Sequence, residues 1–424
     1  MKVALALSFL CGFAALSHEI LWYRICSFST GGAASAFALM LAAYLTGIAL
    51  GALAAGRLCR EREGAAPPLR TVTLLLAASS LAFFVPPLAA ALAVRFAPWE
   101  LTLPLVAAAA ALLGAVFPLV SHLAVLPDAR SGKRVSFLYF ANILGSTAGS
   151  LFTGFWLLDR WPLSEVALAL ALLGLAAAAA LALSSERRGS GAVWVAACGA
   201  AAALLVASAP TVYDALYEKL QLKDAYVPQE HFAHVVENRS GVITVKDNGT
   251  IYGGGVYDGG FNTSLRTDSN GIERAYALAA MHPRPREVLM IGLSSGSWAA
   301  VVAGHPAVER LTVVEINPGY LELLPHYPAV SGLTRNPKVS IEIDDGRRWL
   351  VRNSARRFDV IVSNTTHNWR ANASNLLSAE FFQLVRSRLK PGGVFYFNPT
   401  GSMRAARTAT DAFPHALGAA GMIA

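Results

Sequence analysis

The sequence predicts a two-part molecule: a multipass α-helical membrane bundle, then an α/β domain with a parallel sheet and a small β unit ahead of it. Three observations carry this. Of 424 residues, 54% are hydrophobic and only 15% charged, with a mean hydropathy of +0.46, which is too apolar for one soluble domain. The apolar residues concentrate before about Pro210, in long runs rich in Ala, Leu and Gly. Beyond that point charged residues, Asn, Gly and Pro mix with short apolar runs that alternate with helical segments. The boundary falls near SAPTVYD (208–214), giving a bundle at 1–210, a linker with a small β-hairpin unit at 211–270, and the α/β domain at 271–424.

Seven runs, roughly 4–23, 33–56, 71–94, 101–126, 136–158, 162–183 and 191–209, approach the ~20 apolar residues that a helix needs to cross ~30 Å of hydrocarbon. The lipid bilayer is therefore an expected partner. The first run continues into LSHEILWYRI (16–25), bulky where a signal-peptide cleavage site would be small, so it is expected to stay in the mature protein. Gly47 with Gly51, and Gly145 with Gly149, are spaced to let helix backbones approach closely, which reads as packing within the bundle ahead of a transport path. His18 and Glu19 near the end of span one, His122 near the end of span four and Asn142 in span five are the polar side chains of note. Ionisable groups at membrane depth are functional candidates by default, but these three also fit interface height.

Basic residues cluster after spans two (RLCRERE), four (PDARSGKR) and six (SSERRGS), whereas the alternate loops carry little beyond Arg24, Arg95 and Arg160. The positive-inside rule puts the clustered side and the N-terminus in the cytoplasm, and seven spans then place the C-terminal domain outside. A domain using a cytosolic nucleotide-like cofactor calls for the opposite side, and one miscounted span reverses the answer. The side is left open. The net charge of +8 is spread over membrane loops and soluble domain without a basic run interleaved with aromatics, so nucleic acid is not an expected partner. Cys11, Cys26, Cys59 and Cys198 all lie in the membrane half without metal-ligand spacing, so neither a metal nor a disulfide framework is expected.

Residues 231–262 alternate β-branched runs with the turns NRSG, KDNG and YDGG, the pattern of an antiparallel unit with hairpins. A helix through ERAYALAAMH follows. Strands are expected at EVLMIGL, RLTVVEIN, KVSIEID, FDVIVSN and GGVFYFN, and helices at SWAAVVAG, GRRWLVRN and SAEFFQLVRSRLK. Apolar strands separated by helices argue a parallel sheet covered on both faces, with ligands beyond the carboxyl ends of the strands. At the first such end, GLSSGS (292–297) offers Gly292 and Gly296 for a tight turn, with Ser294 and Ser295 between them and a helix amino terminus beyond. At the second, Glu315 can accept hydrogen bonds from both hydroxyls of a ribose. At the third, Asp344 and Asp345 can accept from an amino group such as that of adenine, with Gly346 next in the chain. Each acid taken singly also reads as a helix cap or solvated turn. Three strand ends in register make an adenosine-type site the better reading.

These residues in this order resemble the spermidine synthase family of aminopropyltransferases and, more loosely, class I methyltransferases. The resemblance runs from about Val235 onward through VYDGGFN, YALAAMHP, VLMIGLSSGS, TVVEINP, DDGRRWL, FDVIVSN, NLLSAEFF and LKPGGV. GFAALSHEILWYR, GAVFPL and YFANILGSTAGSLFTGFWLL look like the bundle fused to such domains in multipass bacterial proteins, which implies the cell inner membrane. The resemblance implies a Rossmann-like domain whose cofactor, as co-substrate, is S-adenosylmethionine or decarboxylated S-adenosylmethionine. It implies Glu315 as the ribose acid and Asp345-Gly346 as the adenine-contacting turn. Tyr257, Asp258 and Asn262 fall in the substrate-side loop, and Tyr276 near the acceptor.

The departures fall where activity lives. Ser294, Ser295 and Ser297 occupy a loop that in active members reads like GGGDGG. Asn364, Thr365, Thr366 and His367 stand where an Asp-Ser-Ser-Asp-like segment holds and deprotonates the amine, and Leu278 stands where a further acid is expected. A polyamine arrives as a polycation and needs fixed negative charge in a desolvated cleft. Asn364 cannot accept a proton near neutral pH, whereas His367 is of the type suited to general-base work, with a hydrogen-bonding or loop-structuring role as the alternative. Trp369 and Arg370 read either as a cover or contact for an anionic or aromatic acceptor, or as a surface-packed ring and a solvated cation. Family domains continue past the fifth strand through a helix and two more strands, while this sequence stops at GAAGMIA, so a shorter sheet with an exposed edge, or a fragment, is expected.

The function that follows is a membrane-bound transferase acting on a small-molecule acceptor other than putrescine. A non-catalytic nucleoside-sensing or scaffolding domain on a transporter-like bundle is the first alternative, and true polyamine aminopropyl transfer the second. Oligomeric state is left open, a homo-oligomer included.

Overall fold

The computed structural model of the chain describes residues 1–60, 67–183, 188–364, 367–372, 374–419 and 421–424. Thr365, Thr366 and parts of the basic loops after spans two and six lie outside the described residues. The chain divides into two compact units, Met1–Thr30, Ser35–His231 and Glu237–Arg239 in the first, and Gly31–Ala34, Phe232–Val236 and Ser240–Ala424 in the second.

The first unit holds α1 (Lys2–Ser29), α2 (Ala34–Arg60), α3 (Pro67–Phe96), α4 (Thr102–Ala124), α5 (Ser131–Phe155), α6 (Leu163–Leu183) and α7 (Arg188–Val212), then the short α8 (Leu216–Leu222). Among the described residues, seven of its helices are long and apolar enough to cross a membrane. α1 runs on to Ser29 because Leu21, Trp22, Ile25 and Phe28 continue its buried face. His18 therefore sits inside the helix and is buried, stacked on Trp22 with ring centroids 5.5 Å apart, rather than near its end. The glycine pairs lie where helices touch. A Cβ on Gly145 or Gly149 of α5 would overlap backbone of Phe9 or Phe13 of α1, and one on Gly47 or Gly51 of α2 would overlap that of Ala107 or Ala111 of α4. Asn142 is used in the same contact, its Nδ2 donating to the Ser8 carbonyl at 3.1 Å, and Thr153 donates to Ser17 at 2.8 Å. Backbones close enough for dispersion and interhelical hydrogen bonds hold α5 to α1.

Next along the chain come β1 (His234–Asn238), β2 (Gly241–Val245), β3 (Thr250–Gly253) and β4 (Val256–Gly260), a sheet in chain order whose β2–β3 and β3–β4 pairs are antiparallel. The single helix expected next is two short pieces, α9 (Glu273–Tyr276) and α10 (Leu278–Met281), meeting at Ala277. Then follow β5 (Glu287–Ile291), α11 (Ser297–Gly304), β6 (Arg310–Glu315), α12 (Gly319–Leu323), β7 (Val339–Ile343), α13 (Gly346–Arg352), β8 (Phe358–Ser363), α14 (Ser374–Leu377), α15 (Ala379–Arg386), β9 (Leu389–Phe397), α16 (Met403–Ala412), β10 (Gly418–Ala419) and β11 (Met422–Ile423).

The larger sheet has the order β10-β11-β9-β8-β5-β6-β7, parallel from β9 to β7 and antiparallel at β11 and β10. The shortened sheet expected from the chain's last residues is therefore corrected: a helix and two further strands follow β9, each strand only two residues long. Alternate residues of the central strands feed two cores, as the two-residue period of a strand requires. Val288, Met290, Val313 and Val362 pack with Ala299 and Val302 of α11. Leu289, Ile291, Val314 and Ile361 pack with Trp349 of α13 and Phe381 and Phe382 of α15. Both faces are covered, so the strands read as continuous apolar runs. The strand order reverses direction between β5 and β8, and a crevice forms at that point beyond the carboxyl ends.

Candidate functional site

The turn after β5 is built by left-handed backbone at Gly292 (φ 94°), Ser294 (φ 49°) and Gly296 (φ 75°). Gly296 is fixed by space as well as by φ, since a Cβ there would lie 2.8 Å from Leu324. The serines tie the turn to β4. Ser294 Oγ donates to the Asp258 carbonyl and Ser297 Oγ donates to the Gly260 carbonyl at 2.8 Å, while Ser295 Oγ accepts from the Ser297 N–H at 3.3 Å. Where the resemblance leads one to expect an acid, this chain has a hydroxyl clamp.

Glu315 ends β6 beneath that turn and is 4% exposed. Its Oε2 accepts from the Leu293 N–H at 2.7 Å and its Oε1 from the Asn317 N–H at 2.8 Å. Burial pushes the carboxyl up to about 7, against the pull of those two N–H groups and with the nearby Asp258 adding to the rise. Each oxygen still has a lone pair for a second donor, which is what a ribose hydroxyl supplies. At the end of β7, Asp345 caps α13 by accepting from the Arg348 N–H at 2.8 Å. Asp344 accepts from Arg348 Nε and pairs with Arg352 at 3.4 Å; burial raises its carboxyl, but these donors hold it below the usual carboxylate range. Gly346 has a packing reason of its own, because a Cβ would meet Ile291 Cγ2 at 2.5 Å. The N-cap role weighed for these acids is thus real for Asp345, and Asp344 serves as an ion-pair partner.

One cavity opens across the strand reversal, and it gathers Tyr257, Asp258, Gly292, Ser294, Ser295, Asn364, His367 and Arg370. Asp258 lies in the middle of β4 and accepts from Tyr320 Oη at 2.6 Å. Burial raises its carboxyl to about 6, with Tyr320, the Arg370 charge and Ser294 drawing it back. The Asn364 Oδ1 accepts from Asn398 Nδ2 at 2.9 Å, which leaves Asn364 its NH2 and one further lone pair to offer. His367 stacks on Trp369 with centroids 5.6 Å apart, and Trp369 is 47% exposed.

The remaining expected residues lie outside that lining. Glu315, Gly296, Asp344, Asp345 and Gly346 sit at or behind the strand ends. Asn262 shapes its own loop by donating to the carbonyls of Ser264 at 3.2 Å and Thr267 at 2.9 Å. Tyr276 faces a separate apolar hollow shared with Leu278 and Ala300, and its hydroxyl donates to the Thr263 carbonyl at 2.9 Å. Sequence reasoning missed Asn270, Arg274, Trp298, Asn398 and Thr400 in the cavity wall, and Tyr320 behind it. Asn398 was findable, as the residue just past the fifth strand in a sheet whose strand ends bind ligands.

Comparison with known proteins bears on this region. Residues 277–406 match the Spermine/spermidine synthase domain. The polyamine aminopropyltransferase of Bacillus subtilis is 28% identical over 141 residues, covering 31% of this chain and 50% of that protein. Polyamine aminopropyltransferase 1 of Pseudomonas aeruginosa is 37% identical over 117 residues, covering 27% and 40% respectively. The chain thus spans half or less of these curated relatives' length. Among solved structures, a spermidine synthase in complex with the transition-state analogue AdoDATO aligns at 21% identity and TM-score 0.37, over 46% of this chain and 71% of that one. Behind an N-terminal region of seven apolar helices, the chain carries a spermine/spermidine synthase domain in its C-terminal region.

Proposed function

We propose that the C-terminal domain binds a thioadenosine co-substrate, S-adenosylmethionine or its decarboxylated form, and transfers a group from it to an acceptor other than putrescine. The observation that carries this reading is Glu315, a buried carboxylate at the end of β6 with Oε2 turned to the glycine-serine turn and Oε1 to the Asn317 N–H, beside a cavity whose lining carboxylate is Asp258 alone among the described residues. The sulfonium of the bound donor supplies an electrophilic carbon and a neutral thioether leaving group. What the chain must add is position. Glu315 would hold the ribose, Asp258 and Tyr320 would orient the substrate side, and His367 would take a proton from an acceptor that arrives protonated. The small-molecule acceptor, the inner-membrane location and any homo-oligomer belong to this proposal.

One observation favours the rival reading, a non-catalytic nucleoside-binding domain. Asn364, hydrogen-bonded to Asn398, is a carboxamide, so the position after β8 offers hydrogen bonds and no base. The two readings separate on His367→Ala, with release of the thioadenosine product followed in parallel with co-substrate affinity. Transfer predicts a rate loss of roughly 10²–10⁴ at unchanged affinity, the usual worth of a positioned base. No product from the unaltered chain with any amine acceptor would leave the binding domain as the answer.

A further inference from the structure

The cavity holds more cationic than anionic side chains. Asp258, Arg274 and Arg370 line it together, with His367 as the further titratable group in its wall. Both guanidinium groups sit in places made by glycine. A Cβ on Gly254 would come within 2.9 Å of Arg370 Nη2, and one on Gly271, whose φ is +65°, would overlap the Arg274 guanidinium. Arg274 Nε is buried without a hydrogen-bond partner among the described residues, its nearest carboxylate being Glu273 at 3.6 Å. No carboxylate pairs with Arg370 within ion-pair distance among the described residues. The Asn364 NH2 adds a neutral donor to the same wall. A diamine brought into this cleft would meet two fixed cations and one acid, which opposes a dication. A carboxylate finds two guanidinium forks, the groups best shaped to hold it.

We propose that this cleft contains a zwitterion subsite, in which Arg274 and Arg370 hold the carboxylate and Asp258 the ammonium of an amino-acid group. The subsite rests on the transferase reading of the same cleft and names its ligand class. The amino-acid group has two sources, the methionine end of S-adenosylmethionine or an amino-acid acceptor.

The test is calorimetric titration of the full detergent-purified chain with two matched pairs. S-adenosylmethionine against its decarboxylated form reads the donor, and γ-aminobutyrate against putrescine reads the acceptor, the second pair with and without methylthioadenosine. Methylthioadenosine has no charged tail and reports the nucleoside pocket and the folding of each variant. The expected result is that the carboxylate member of at least one pair binds about tenfold more tightly, as charge-assisted hydrogen bonds allow. Arg274→Gln and Arg370→Gln should each reduce that preference severalfold while methylthioadenosine binds as before. A donor-pair preference assigns the subsite to S-adenosylmethionine, and an acceptor-pair preference to an amino acid. Equal or inverted preference in both pairs overturns the proposal, as does a preference that survives both substitutions. Loss of methylthioadenosine binding by the unaltered chain would sink the nucleoside reading instead, and γ-aminobutyrate against putrescine would still decide the subsite.

Discussion

Glu315 is 4% exposed, and burial holds its carboxyl up to about 7, from an ordinary value of 4.5. Because the folded value lies above the unfolded one, the native chain binds more protons than the unfolded chain between those values, and stability falls as pH rises through that window. This group's contribution is complete below about pH 4.5 and lost above about 7, a change on the order of 3 kcal/mol. Melting temperature should therefore decline from about pH 5 to about pH 8, and Glu315→Gln should flatten the slope. A ribose with two hydroxyls selects the ionised form. Methylthioadenosine affinity is accordingly expected to weaken by up to about tenfold per unit as pH drops below about 7, measured by titration across that range. An affinity independent of pH there would mean that Glu315 does not meet the ribose.

At the scale of the elements, the five parallel strands were legible because each is a β-branched apolar run bounded by turn residues, such as VLMI in β5 and VIVS in β8. β10 and β11 were not, since two residues cannot show a period. The strand-end acids were legible from position alone, yet their partners were not. Asn364 and Asn398 meet because β8 and β9 pair Ser363 with Phe397, a register no local pattern reveals. Asp258 and Tyr320 meet across 62 residues. Gly346 has a packing role that the resemblance did not show, since its lack of a side chain lets α13 start against Ile291. Gly346→Ala should destabilise the chain by roughly 1–3 kcal/mol through overpacking, seen as a melting temperature lower by a few degrees with methylthioadenosine affinity little changed. Loss of binding without loss of stability would return Gly346 to the ligand site.

For the whole molecule, the described residues include seven helices long and apolar enough to span a membrane, an odd number that would put the two ends of the bundle on opposite sides. Applied to RLCRERE, PDARSGKR and SSERRGS, the positive-inside rule predicts the N-terminus in the cytoplasm and, if all seven helices cross, the C-terminal domain on the other face, against the side that a cytosolic nucleotide-like cofactor calls for. Reporter fusions after Arg134 and after Ala424 should show cytoplasmic and non-cytoplasmic signals respectively. The same side for both would mean that one of the seven does not cross. In the expected topology, a donor made in the cytoplasm must pass the membrane to reach the cleft, which makes direct ligand binding the point on which the rest depends. That point is decided by titrating methylthioadenosine into the purified chain and into Glu315→Gln. Saturable binding that weakens at least about tenfold in the variant, the scale of a charge-assisted hydrogen-bond pair, is the result expected. Absent binding by a folded chain, or equal binding by the two proteins, would contradict a nucleoside site at the end of β6.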